Sequence, residues 1–150
     1  MTNSTLAGHI RRIATLPTSD QRMLPRAAAV VASVRIALWV LPFRWVCGFV
    51  CGLPVSPNTR EGNSVSSLEW IVRVVSRQIP MASCLTQALA LRWLLVRAGH
   101  RASLHIGVAK DDARGFEAHA WVESRNKILL GGKGEVNGFT PILALPRQKP

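Results

Sequence analysis

Residues 83–123 read SCLTQALALRWLLVRAGHRASLHIGVAKDDARGFEAHAWVE, and the spacing of their apolar side chains changes partway along. From 85 to 98, Leu85, Ala88, Leu89, Leu91, Leu94, Leu95, Val96 and Ala98 cover nearly the whole circumference of a helix. That pattern predicts a helix inside the fold. Gly99 stands where a C′ residue ends such a helix, and Cys84 opens it. Beyond Gly99 the period falls to two: Ala102, Leu104, Ile106 and Val108 alternate with Ser103, His105 and Gly107. Phe116, Ala118, Ala120 and Val122 then alternate with Glu117, His119, Trp121 and Glu123. The polar connector at 110–115 is too short for a parallel crossover, so the two strands form an antiparallel hairpin. A turn at Ser124-Arg125-Asn126 leads to a third strand near 127–130, and Gly131, Gly132, Gly134 and Gly138 precede a last apolar stretch at 139–145. The expected fold is α+β, a buried Cys-bearing helix packed on a small antiparallel sheet.

Working outward, helices are expected from about residue 25 to the residues before Pro42 and from 43 to about 51. A Gly/Pro/Ser/Asn-rich loop at 52–64 is the one plausible linker. Ser66 with Glu69 reads as a capping box, opening a third helix (Leu68, Ile71, Val72, Val75, Ile79) that Pro80 stops. The 150 residues suit a single domain, with a helical part about 20–80 and a core about 81–145. With 48% apolar and 18% charged residues, intrinsic disorder is excluded.

Lys+Arg 19 against Asp+Glu 8 gives a net charge of +11, which favours acidic partners. The basic residues are scattered and do not alternate with aromatics, so no nucleic acid is expected. Three cysteines, Cys47, Cys51 and Cys84, fit a disulfide framework badly. No signal peptide is legible, and the expected location is the cytoplasm. The apolar stretch 27–50 is interrupted by Arg35, Pro42 and Arg44, which reads as a buried or interfacial helix and not a membrane span.

A thiol attacks as its thiolate, and a helix N-terminus favours that anion through unpaired N–H groups and its dipole. Cys84 occupies such a position, and His119, on the strand face opposite the apolar set, is the best candidate to exchange its proton. A buried Cys and an unrelated His give the same pattern, so residue types alone leave both readings open. Cys47 and Cys51 have a spacing that could hold a metal, but no His or Cys pair completes a site, and the core reading is preferred. His105 reads as a satisfied structural histidine. Trp121 reads equally as groove lining or packing, and Gln87 as a support for hydrogen bonds at the site. No metal or cofactor is expected.

The motifs Cys-Leu-x-Gln-Ala-Leu-Ala-Leu (84–91), Leu-x-Ile-Gly-Val (104–108) and Ala-His-Ala-Trp-Val-Glu (118–123) together resemble the protease domain of lasso-peptide biosynthesis B proteins. Leu-Pro-Phe-Arg (41–44) and Phe-Thr-Pro (139–141) extend the likeness more loosely. The resemblance implies a transglutaminase-like, papain-like cysteine protease core and a leader peptidase that cuts a ribosomally made lasso precursor between leader and core. Cys84 would be the nucleophile and His119 the base. It also implies a separate leader-recognition protein, because this chain is similar to the stand-alone protease form, and an ATP-dependent cyclase that closes the freed core. Many members have an Asp twelve residues after the histidine, where this chain has Gly131; Glu123 and Glu135 are the weak substitutes. The N-terminal apolar helices read as protease core or as a docking surface. A transglutaminase-like acyl transferase and a noncatalytic basic adaptor for an acidic peptide or nucleic acid are the alternative functions.

Overall fold

The computed structural model describes residues 18–55, 64–111, 115–130 and 138–145. Among the described residues four helices precede four strands: α1 (Thr18–Val40), α2 (Phe43–Gly52), α3 (Val65–Ser76), α4 (Cys84–Arg97), β1 (Ser103–Asp111), β2 (Gly115–Ser124), β3 (Lys127–Leu129) and β4 (Thr140–Leu145). The order across the sheet is β3-β2-β1-β4, and every neighbouring pair is antiparallel. The architecture is α+β.

α4 is the hub. It packs against α1, α2 and α3 on one side and against β2 and β1 on the other. Ala88, Leu89, Leu91, Leu94 and Leu95 form one buried cluster with Leu104 of β1, Ala120 and Val122 of β2, and Leu129 of β3. Because strand side chains alternate, the residues between these, among them His105, His119 and Trp121, belong to the other face of the sheet. Ser83 caps the start of α4, its hydroxyl accepting from Thr86 N–H at 3.3 Å. At the other end Gly99 takes φ 82°, with bonds from Gly99 N–H to the Val96 carbonyl (3.1 Å) and from His100 N–H to the Leu95 carbonyl (2.8 Å). This is the double hydrogen-bond closure that a left-handed C′ residue makes possible.

One polar residue interrupts the otherwise apolar hub. Arg92 is completely buried, and its guanidinium donates to the carbonyls of Val50 and Cys51. These are orphan acceptors at the C-terminus of α2, where positive charge also meets the negative end of the helix dipole. On the far side of α4, the guanidinium groups of Arg26 and Arg97 lie 5.9 and 5.6 Å from the Trp93 ring.

Several boundaries differ from the sequence expectation. α1 starts earlier and keeps Pro25 inside it, although proline supplies no amide donor to the helix. Arg35 breaks the hydropathy of this segment but not its helix: Gln21–Val40 is long and apolar enough to cross a membrane by length and composition. Its Ala27, Val31 and Val34 are buried in the core. The cap of α3 is Ser64, accepting from Ser67 N–H at 3.1 Å, and not Ser66. Glu69 is therefore free of a capping box, and its Oε1 accepts instead from Arg73 (3.0 Å) and from Leu130 N–H (3.3 Å), tying α3 to the end of β3. The turn between β2 and β3 carries Arg125 and Asn126 at φ 51° and 61°, the two left-handed residues of a type I′ hairpin.

Candidate active site

The segment leading into α4 is tightly wound. Met81 takes φ 59°, an uncommon value for a side chain with a Cβ. Gln87, one turn into the helix, donates from Nε2 to the Ala82 carbonyl at 3.3 Å, and its backbone N–H bonds the Ser83 carbonyl at 3.0 Å. The Gln87 side chain thus braces the backbone just ahead of the cysteine, in keeping with the supporting part read from its spacing. Cys84 is the first residue of α4, a free thiol that is half-buried. Ser83 occupies the Thr86 and Gln87 donors, so the N–H groups of Cys84 and Leu85 are the ones with no acceptor inside the helix. Those two donors and the helix dipole favour negative charge on an oxygen placed beside them.

His119 lies in β2 directly opposite Gly107 of β1. Its ring stands between two aromatics: the Trp121 centroid is 6.4 Å away at an interplanar angle of 20°, and the Phe139 centroid 5.5 Å away. The Nε2 atom is enclosed and has no hydrogen-bond partner among the described residues. Trp121 is buried and also stacks on His105, with centroids 5.7 Å apart. Gly107 makes this row possible. A Cβ there would come within 2.9 Å of Trp121 Cη2 and Cζ3 and 3.1 Å of Phe139 Cβ, so a strand glycine marks a close approach of rings. The ladder between β1 and β4 shifts register at the same place, between Ile106 and Gly107.

The two residues are carried on elements packed directly together, α4 and β2, but their side chains leave those elements differently. Cys84 borders the apolar layer under the sheet, whereas His119 alternates with Ala120 and Val122 and belongs to the other face. Among the described residues, β3 pairs only with residues 122–124 of β2. Beside His119, the described sheet therefore has β1 on one side and an open margin on the other.

Glu123 is not placed to orient His119. Its Oε2 lies 3.4 Å from His105 Nε2, and the Ser103 hydroxyl sits 3.0 Å from the same nitrogen. This corrects Glu123 as a substitute third residue and accounts for His105 as a satisfied structural histidine. Gly131 and Glu135 lie outside the described residues. Phe139 and Gly107 shape the histidine's surroundings, yet residue types alone did not single them out. A glycine on the polar side of a strand was the available sign for one, and the Phe-Thr-Pro likeness for the other.

Cys47 and Cys51 sit one turn apart in α2, with sulfurs 3.8 Å from each other. Burial, reinforced by the adjacent Cys51, pushes the Cys47 thiol up to about 12, against a smaller opposing pull from Arg92. Burial also raises Cys51, and it lowers Arg92. The positive group beside this thiol pair opposes a bound cation.

No curated protein and no solved structure matches the chain. A model of the transglutaminase-like superfamily, which includes cysteine proteases and acyltransferases, matches residues 52–144. That span holds α3, α4 and the paired strands with both Cys84 and His119. It covers well over half of the 150 residues, and the chain belongs to the transglutaminase-like superfamily.

Proposed function

We propose that this protein is the leader peptidase of lasso-peptide maturation, a cysteine protease using Cys84 as nucleophile and His119 as general acid and base. The observation that carries the reading is a free thiol on the first residue of a buried helix that rests on the strand bearing Ala-His-Ala-Trp-Val-Glu. The motif likeness at 84–91, 104–108 and 118–123 supplies the substrate class.

The Cys84 thiolate attacks the carbonyl carbon of the scissile amide, and the N–H groups of Cys84 and Leu85 receive the developing oxyanion. The imidazolium of His119 passes its proton to the departing amine, the C–N bond breaks, and a thioester remains on the sulfur. Water then attacks the thioester while His119 takes its proton, which frees the leader carboxylate and restores the thiolate. The enclosed Nε2 supports this role, because among the described residues no protein group competes for its proton or lone pair. Catalytic hydrogen bonds are often long before substrate binds, and the reading requires the Cys84 sulfur and the His119 ring to come within proton-transfer reach when it does. Backbone carbonyls or water orient the ring in place of the aspartate that Gly131 replaces.

The partners in this reading are the precursor's leader region, a separate recognition protein and an ATP-dependent cyclase; the net charge of +11 suits an acidic leader. The test incubates precursor, recognition protein and this chain without the cyclase and weighs the products. Separate leader and core masses, lost in Cys84→Ala, are the expected result. Covalent joining of an added amine to the leader's new C-terminus would make the protein an acyl transferase, and a Cys84→Ala chain that cuts like the parent would overturn the mechanism.

A further inference from the structure

The turn joining α1 to α2 exposes an apolar surface that the hydrolytic chemistry does not use. Ile36, Trp39 and Val40 stand on the last turns of α1, and Phe43, Trp45 and Phe49 on α2. Trp39 is 82% exposed, Trp45 69% and Phe49 68%. These residues are sequential across a tight corner, where Leu41 N–H bonds the Ala37 carbonyl at 2.8 Å and Trp45 N–H the Pro42 carbonyl at 2.9 Å. They therefore form one projecting apex. Behind it an apolar groove of about 390 Å³ runs between Val30, Val34 and Ala37 of α1 and Val46 and Phe49 of α2. Soluble monomers seldom leave so continuous an apolar surface without a use for it.

Charge decides among the possible occupants. Residues 21–60 contain no Asp or Glu, while Arg22, Arg26, Arg35 and Arg44 lie along the same two helices. Arg44 is exposed in the middle of the apex. A second copy of this chain would set that positive surface against itself. Tryptophan side chains beside arginines match the boundary between acyl chains and anionic headgroups, where indole prefers to lie and guanidinium reaches the phosphates.

We propose that the α1–α2 apex docks the protein on an anionic lipid surface, with Trp39 and Trp45 inserted at headgroup depth and Arg44 on the phosphates. α1 keeps its buried contacts with the domain, so the protein lies on the bilayer. Cys84 is not one of the residues of this surface, and a Cys84→Ala chain docks as the parent does.

The test mixes the full chain with vesicles of phosphatidylcholine plus phosphatidylglycerol, or of phosphatidylcholine alone, and measures co-sedimentation. Binding is expected on the anionic vesicles only, falling with added salt, and weakened about tenfold or more by Trp39→Ser with Trp45→Ser. Brominated lipid is expected to quench the parent's tryptophan emission, a reading that needs no variant to fold. Equal recovery on both vesicle types, absence of quenching, or undiminished binding by the folded double variant would each overturn the proposal. So would light scattering that shows a dimer dispersed by the same substitutions, which would give the apex to a second copy.

Discussion

At the scale of single residues, the histidine's setting rests on an absence. Gly107 leaves the space into which Trp121 closes, and Trp121 with Phe139 fixes where the His119 ring can stand. Gly107→Ala is expected to cost about 1–3 kcal/mol, the usual penalty of overpacking, read as a lower denaturation midpoint. Its cleavage rate should fall further than that loss of folded protein explains, while alkylation of Cys84 by iodoacetamide stays near the parent rate. His119→Ala removes the imidazole to which the proposal gives the proton transfers. On the proposed chemistry it lowers kcat about 10²–10⁴-fold in the precursor assay, with unchanged folding by circular dichroism. The placement of Cys84 at a helix start and of His119 on a strand's polar side was legible, because both are local signals. Phe139 was not, since its nearness to His119 depends on β4 returning to β1.

At the scale of elements, α4 shows what periodicity reveals and what it hides. Its apolar residues, its start at Cys84 and its Gly99 terminus are local patterns, and the structure reproduces them within a residue. Arg92 looks out of place in that helix until the carbonyls of Val50 and Cys51, more than forty positions earlier, are brought beside it. No local pattern could show that pairing. Arg92→Met keeps the volume and apolar fit but strands those acceptors. It is expected to destabilise the fold by about 1–3 kcal/mol, the cost of buried unsatisfied groups, and chemical denaturation with an unchanged m value would register it. The hairpin of β1 and β2 and the third strand were likewise predictable from alternation and turn chemistry. The outer position of β4 was not, although Pro141 suits an edge strand, where a missing donor costs least.

At the scale of the whole molecule, burial of thiols beside α4 links stability to alkaline pH. Cys47 holds its proton in the folded state up to about 12, against an ordinary value of 9.0. Between those values the unfolded chain has lost that proton and the folded one retains it. Unfolding therefore becomes easier as pH rises through this window, with a limiting slope of about 1.4 kcal/mol per pH unit. The chain contains no tyrosine to mask the effect. Cys47→Ala should flatten the alkaline limb of a plot of denaturation midpoint against pH, and an unchanged limb would assign it to other groups.

The pairing of β4 with β1 also orders events in time. Helix α4 and the first hairpin leave the ribosome before Phe139, the side chain that completes one wall around the imidazole. An unfinished polypeptide thus possesses its sulfur while the ring beside Trp121 is still unenclosed, and the setting of that ring is finished only once the last strand has been made.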